Sequence, residues 1–361
     1  MFKFLLKPIS WIYGMVVAIR NFLYDNKVLK SHEFEIPVIS VGNIAVGGTG
    51  KTPHTEYIVN LLKDLYNVTI LSRGYKRKTK GYIKATNEST VAEIGDEPKQ
   101  MSIKFKDQAN VCVCENRCKG IKNILKERNE KQVVILDDAY QHRRVTPRLS
   151  ILLTDYNKPF YEDSMLPYGN LREPSSRYNR ANIIIVTKCP DNLKPIDRRV
   201  ISKHINLLPF QSIYFTNFKY LEIKPVFSEQ TQTEINKDTE ILLITGIANP
   251  TTLIQHIQNK YSQKITHIKF ADHHNFSKRD INKITEKFVS LSQNKVVITT
   301  EKDAVRLMEQ NFEPTIKEKM YYIPIEINFV FDDADKLNSQ IIKYVEENKT
   351  NYRLHTTVHQ F

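Results

Sequence analysis

The stretch Ala45-Val46-Gly47-Gly48-Thr49-Gly50-Lys51-Thr52 decides the fold. It follows an apolar run, Pro37 to Val41, and opens a helical pattern in which Ile58, Leu61, Leu62 and Leu65 share one face. Strand, glycine-rich turn, Lys-Thr and helix in that order make a phosphate-binding loop, with Ala45 where the simplest pattern has its first glycine. Across Gly47, Gly48, Thr49 and Gly50 the backbone N–H groups can approach phosphate oxygens, and the helix N-terminus adds its dipole. In such a loop Lys51 reaches the β and γ phosphates of ATP, and the Thr52 hydroxyl ligates Mg2+.

A magnesium site also needs a carboxylate at the end of a neighbouring strand. Gln132-Val133-Val134-Ile135-Leu136-Asp137-Asp138 supplies two after an apolar run, and downstream of a phosphate loop this reads as a metal-binding Walker-B element. Around these two motifs, from Ile36 to Lys188, short β-branched runs alternate with helical patterns, as parallel α/β folds require. Strands are expected at Pro37 to Val41, Val68 to Ser72, Asn110 to Glu115, Gln132 to Asp137, Leu149 to Thr154 and Asn182 to Lys188. Several are continuous apolar runs, which suits strands buried on both faces.

A second series begins at Glu240 and continues through Lys264 to Phe270 and Asn294 to Thr300, predicting a smaller α/β unit. Between the units lie two aromatic, β-branched stretches, Ser212 to Phe227 and Lys319 to Phe331. They are expected to pair as a two-stranded connector. The fold expected is α/β: a P-loop NTPase-like, mainly parallel sheet domain over 31–211, connector strands at 212–227 and 319–331, and a smaller α/β domain over 228–318. An N-terminal helix over 1–30 precedes them, and a C-terminal helix within 332–361 returns to the first domain. Ser228 to Thr239 is polar enough to be a mobile loop.

At 361 residues the chain is long enough for two domains. Its 53 Lys and Arg against 40 Asp and Glu leave a net charge of +13, which attracts anions of any kind: nucleic acid, phosphorylated metabolites or an acidic membrane. No helix-turn-helix, RNP or zinc-finger pattern accompanies that charge, so nucleic acid is not the expected partner. The 4 cysteines are too few for a disulfide framework, and Cys112, Cys114 and Cys118 lack a fourth ligand for zinc; they read as buried thiols.

Pro8 to Ile19 carries no formal charge and is flanked by Lys3 and Lys7 on one side and Arg20, Lys27 and Lys30 on the other. The run is too short to span a bilayer. It suits an interfacial helix, with Trp11, Tyr13, Phe22 and Tyr24 at headgroup level, and equally a helix packed on the protein's own core.

Four further clusters carry chemistry. Gly95-Asp96-Glu97-Pro98 precedes a helical pattern, so Asp96 reads either as a helix cap or as a base for a substrate hydroxyl. Asp272-His273-His274 is a structural or catalytic Asp/His pair, since no further zinc ligands lie nearby. Arg172-Glu173 offers a phosphate contact and a metal ligand, or a surface ion pair. Ser72 to Lys80 is a solvated basic loop or a patch for an anionic substrate.

Taken in order, the motifs SVGNIAVGGTGKTP (Ser40 to Pro53), SRGY (Ser72 to Tyr75), GDEP (Gly95 to Pro98), DDAYQH (Asp137 to His142), LPYGNLREP (Leu166 to Pro174), ITGIANP (Ile244 to Pro250), FADHHNF (Phe270 to Phe276) and TTEKDAV (Thr299 to Val305) closely resemble the tetraacyldisaccharide 4'-kinase family of lipid A biosynthesis. Ala139-Tyr140 stand where that family usually has Gly-Leu, and Asn170 where Pro is common. The resemblance implies transfer of the ATP γ-phosphoryl group to the 4'-hydroxyl of an acylated glucosamine disaccharide 1-phosphate, at the cytoplasmic face of a bacterial inner membrane. It implies Asp96, His273, Lys51 and Arg172 as catalytic residues and Thr52, Asp137, Asp138 and Glu173 around Mg2+. Arg73, Tyr75, Glu97, Gln141 and His142 are implied in substrate binding. His273 would come from the second unit, so the resemblance implies a cleft that closes by a hinge. A multiply acylated substrate stays in the bilayer, which gives the basic N-terminus and the net charge a shared explanation.

The rival reading is an ATP-driven switch of the partitioning type, whose phosphate loop Gly47 to Thr52 also resembles. Those ATPases carry a signature lysine directly before the two glycines, where this chain has Val46.

Overall fold

The computed structural model describes residues 6–127, 130–227 and 235–358. Residues 1–5 and 359–361 of the expected terminal segments, and 228–234 of the loop read at 228–239, lie outside the described residues.

The larger sheet contains β1 (Val38–Asn43), β2 (Asn67–Ser72), β3 (Ile83–Lys84), β4 (Asn110–Val113), β5 (Gln132–Asp137), β6 (Leu149–Asp155), β7 (Ile183–Thr187) and β8 (Ser212–Tyr220). The smaller sheet contains β9 (Lys224–Pro225), β10 (Glu240–Thr245), β11 (Ile265–Lys269), β12 (Lys295–Thr300) and β13 (Met320–Ile323), after which β14 (Ile325–Phe329) rejoins the larger one. Strand order is β14-β8-β7-β6-β1-β5-β2-β4-β3 in the first and β11-β10-β12-β13-β9 in the second. The interior strands pair in parallel, and β14, β3 and β9 are antiparallel edges. The fold is therefore α/β, and β1, β5 and β7 are buried along their whole length, as their unbroken apolar character requires.

The helix α2 (Lys51–Leu62) packs Ile58, Val59 and Leu62 against one face of the large sheet, beside Leu337, Ile341 and Val345 of the last helix. It ends at Leu62, so Leu65, expected on its apolar face, lies beyond it and is exposed. The segments read as a connector do pair, Ile325 opposite Tyr220 and Tyr321 opposite Pro225. They are not a free-standing ribbon, because Pro324 interrupts the second and each half joins a different sheet. β1 lies between β5 and β6, so its neighbours come from far along the chain. Ligands of open parallel sheets bind beyond the carboxyl ends of strands at such a position.

The helix α1 (Lys7–Asp25) lies outside both sheets. Its inward face is Ser10, Val17 and Asn21, whereas Ile9, Trp11, Ile12, Met15, Val16, Ile19 and Phe22 are all more than half exposed. A helix packed on a core turns its apolar stripe inward. This one turns its apolar stripe outward and its polar side inward. Among the described residues no helix is long and apolar enough to cross a membrane.

Candidate active site

The phosphate loop joins the end of β1 to α2. Gly50, at the helix N-cap, has φ +86°, and a Cβ there would stand 2.8 Å from the Phe218 ring, so glycine alone fits. Buried Asn43 ties the loop down: its amide donates to Thr49 Oγ1 at 2.8 Å, and its side-chain oxygen accepts from Arg172. Thr187 donates to the Thr49 carbonyl at 3.0 Å. His54 donates through Nδ1 to the Gly50 carbonyl at 2.7 Å and accepts the Thr216 hydroxyl at Nε2. Burial pushes the His54 imidazole down to about 4, so it serves as a neutral brace. Gly47 and Gly48 stay exposed, leaving this side of the loop open to a ligand.

Parallel pairing sets Val41 opposite Asp137, which carries the Asp137-Asp138 pair to the loop. Asp137 is fully buried; Oδ1 accepts the Thr55 hydroxyl at 3.2 Å and Oδ2 has no hydrogen-bond partner. Burial, reinforced by Glu97 and Asp138, pushes the Asp137 carboxyl well above the usual range against the pull of Lys51. For Asp138, burial is outweighed by Lys51 at 3.8 Å and Arg172 at 3.1 Å, which hold its carboxyl below the usual range. Asp138 has φ +46°, uncommon outside glycine, and buried Arg117 holds this turn by donating to the Asp137 and Asp138 carbonyls at 3.2 and 3.5 Å.

An orphaned, buried carboxylate oxygen next to a second carboxylate suits a divalent cation. Among the described residues, no group of three or more acidic, His or Cys side chains is gathered tightly enough to hold a metal alone. The donor set thus fits Mg2+, which takes one or two carboxylates and completes its shell with phosphate oxygens and water. Glu173, expected in the metal set, is fully buried; one carboxylate oxygen binds Arg180, which also lies over the Tyr140 ring at 4.6 Å, and the other has no hydrogen-bond partner, as at Asp137.

Asp96 and His273 meet across the two units. Asp96 is the first residue of the helix Asp96–Lys104 and its Oδ1 accepts the Glu97 N–H at 2.9 Å; the N-cap itself is Gly95, so Asp96 is not the helix cap. Its Oδ2 lies 2.7 Å from His273 Nδ1. Lys302 and Arg306, on the helix Glu301–Met308, add positive charge, the Arg306 Nε at 4.0 Å. Burial opposes the charge on Asp96, but the His273 hydrogen bond and these cations outweigh it and hold the carboxyl down at about 2. Tyr75 sets its ring against His273 at 5.2 Å, and Lys76 donates to the His273 carbonyl at 3.3 Å. His274 turns away to Asp280 at 3.1 Å and stacks on Phe270, a structural pairing.

Beyond the loop, Gln141 donates to the Asn43 carbonyl, and His142 Nε2 accepts the Arg117 N–H at 3.3 Å. Burial and the charges of Arg117, Arg144, Arg20 and Arg73 push the His142 imidazole down to about 4. It is a neutral side chain inside a cationic cluster, and Arg73 itself is exposed. These same segments carry α1: Ser10 donates to the Met165 carbonyl at 2.8 Å, Tyr13 to the Arg172 carbonyl at 3.1 Å and Arg20 to the Gln141 carbonyl at 2.7 Å. Tyr140, a departure from the family pattern, is buried and donates to the Arg177 carbonyl at 2.6 Å; its backbone also lies where a Cβ on Gly42 would be.

Asn43, Arg117, Lys302 and Arg306 were not singled out by the sequence reading. Asn43 and Lys302 sit inside quoted motifs, and Arg306 directly follows one, so their motif context was the signal available. Arg117 belongs to none.

The family model described as "Tetraacyldisaccharide-1-P 4'-kinase" matches residues 2–346. A tetraacyldisaccharide 4'-kinase of Bacteroides thetaiotaomicron is 48% identical over 96% of this chain and 94% of its own length. One of Flavobacterium johnsoniae is 41% identical over 95% of this chain and 97% of its own. The solved structure of LpxK from Aquifex aeolicus in complex with ATP superposes with a TM-score of 0.74 at 28% identity, covering 96% of this chain and 99% of that one. None of this favours the partitioning-type switch. The chain belongs to the tetraacyldisaccharide-1-P 4'-kinase family, and it is a kinase.

Proposed function

We propose that the chain carries out the reaction for which its family is named, moving the ATP γ-phosphoryl group to the 4'-hydroxyl of a tetraacylated disaccharide 1-phosphate, with Asp96 as the base. The observation that carries this reading is the 2.7 Å contact between Asp96 and His273, which polarises a carboxylate whose neighbour Glu97 is near enough to raise the Asp137 carboxyl. Asp96 accepts the hydroxyl proton, while the O–H electron pair stays on the oxygen that attacks the γ-phosphorus; the bond from that phosphorus to the β,γ-bridging oxygen breaks and its electron pair leaves with ADP. Lys51 and Arg172, both paired with Asp138 here, hold positive charge where the transferring group gains negative charge. Thr52, Asp137 and Asp138 would hold Mg2+, which when bound neutralises charge on the phosphate oxygens. Glu173, whose second carboxylate oxygen is unpartnered, would join that set from its place beside Arg180. Arg73, Tyr75, Glu97, Gln141 and His142 border the acceptor side, and the cations around His142 suit a sugar 1-phosphate.

The outward apolar stripe of α1 supports a membrane-facing site. It rests on the bilayer surface, its exposed aromatic and aliphatic side chains in the headgroup region, and its polar side holds the loops of Gln141 and Arg172. The partner surface is the cytoplasmic face of the inner membrane, where ATP and the lipid acceptor meet; nucleic acid has no part in it.

The test is phosphotransfer from labelled ATP to the acylated disaccharide 1-phosphate in mixed micelles, with the position of the new phosphate found by 31P–1H correlation. Label at the 4' position is expected. ATP hydrolysis stimulated by DNA, with no label on the lipid, would overturn the reading.

A further inference from the structure

Lys302 is the second residue of the helix Glu301–Met308, whose other early side chains, Glu301 and Asp303, are acidic. A cation in the first turn faces the positive end of the helix dipole, so local electrostatics disfavours lysine there. Residues that break a local rule commonly answer to a site.

The Lys302 Nζ is 3.0 Å from His273 Nε2, 3.3 Å from Glu97 Oε1 and 3.6 Å from Asp272 Oδ1. Burial works against its charge, but the carboxylates of Glu97, Asp96 and Asp272 more than offset this and hold the ammonium above its ordinary value. An ammonium has donors only, so the atom it meets on His273 must offer a lone pair. A neutral imidazole that accepts at Nε2 carries its proton on Nδ1, and that proton points at Asp96 Oδ2, 2.7 Å away. An imidazolium would instead set an Nε2–H against the ammonium at 3.0 Å.

We propose that Lys302 is a positioning residue for the transfer step: by donating to His273 Nε2 it fixes the imidazole as a neutral Nδ1–H donor to Asp96, so that the hydroxyl proton goes to the carboxylate and not to the histidine. This rests on the assignment of Asp96 as the base. His273 makes and breaks no bond to hydrogen during turnover; it orients the carboxylate. Lys302 in turn orients His273, and it also ties Glu97 and Asp272 to the same point, one residue from each unit.

The test is the 15N–1H correlation spectrum of the full-length enzyme labelled in its histidines, with His273 assigned by its absence in His273→Gln. In the wild type at neutral pH the Nδ1–H tautomer is expected; the Nε2–H tautomer or the imidazolium there would overturn the proposal without any Lys302 variant being needed. Lys302→Met should shift His273 away from that tautomer and lower kcat at least about 10-fold, with KM for ATP changing much less. Lys302→Arg, which keeps a charged donor, should restore most of the tautomer and part of kcat. An unchanged His273 spectrum in Lys302→Met would overturn the role of Lys302 alone. Wild-type kcat in Asp96→Asn would overturn the base assignment, and with it the functional half of the proposal.

Discussion

Arg20 of α1 donates a 2.7 Å hydrogen bond to the carbonyl of Gln141, whose side-chain amide donates to the Asn43 carbonyl beside the phosphate loop. The helix with the outward apolar stripe is thus linked to the phosphate loop in two steps. Its polar side is satisfied by the protein, and its apolar side by nothing the described residues supply.

Replacing Trp11, Val16 and Ile19 together by serine should therefore weaken binding to anionic vesicles about 10- to 100-fold: full burial of each large apolar side chain contributes of the order of 1.5 kcal/mol, and shallow insertion into the headgroup region realises about a third to a half of it. Thermal stability and ATP affinity should change little, because these side chains are exposed on the folded protein. Co-sedimentation with vesicles measures the first, and a thermal melt with and without ATP the others. Unchanged sedimentation would remove the helix from membrane docking.

Lys51→Ala should lower kcat/KM about 100-fold or more, some 2.7 kcal/mol, because phosphoryl transfer leaves the protein little but positioning and electrostatics to contribute. Steady-state kinetics on the folded variant checks this. Near wild-type turnover would take the phosphate loop out of the mechanism.

A second charge cluster joins the units. Lys104 lies 2.6 Å from buried Glu56 and 3.1 Å from Glu301 of the second unit. Burial pushes the Glu56 carboxyl up even with Lys104 opposing it. Lys104→Met should cost about 3 kcal/mol at pH 7.5, the scale for a buried charge left unpaired. The sign with pH follows from the raised carboxyl: a group whose folded pKa exceeds its unfolded value is least costly when protonated, so the cost should shrink as pH falls towards 5. Urea unfolding of both proteins at the two pH values measures it. A cost independent of pH would show that Glu56 is not the group responsible.

The phosphate loop, the Walker-B strand and the run of parallel strands are legible in the sequence because each is a local pattern: glycines at a turn, apolar runs buried on both faces, carboxylates at a strand end. The ordered motifs carry the family resemblance for the same reason. What local pattern does not carry is direction. The period of α1 shows an apolar stripe but not that Ser10, Tyr13 and Arg20 would take the protein side. Nor does it show that Glu173 would turn to Arg180 while its neighbour Arg172 turns to Asp138. Arg117 reads as one more basic residue until the fold sets it behind the Asp137 and Asp138 carbonyls, and Leu65 fits the helical period of α2 although that helix stops three residues earlier.

On the proposed reading the base is assembled from both units, Asp96 from the first and His273 from the second, acting together. The most direct measurement is a double-mutant cycle on kcat with Asp96→Asn, His273→Gln and the pair, in the phosphotransfer assay. A unit predicts a loss of about 100-fold or more in Asp96→Asn and a double variant little worse than that single one. Losses that multiply in full, or an Asp96→Asn enzyme with wild-type kcat, would show that the two residues do not form one base.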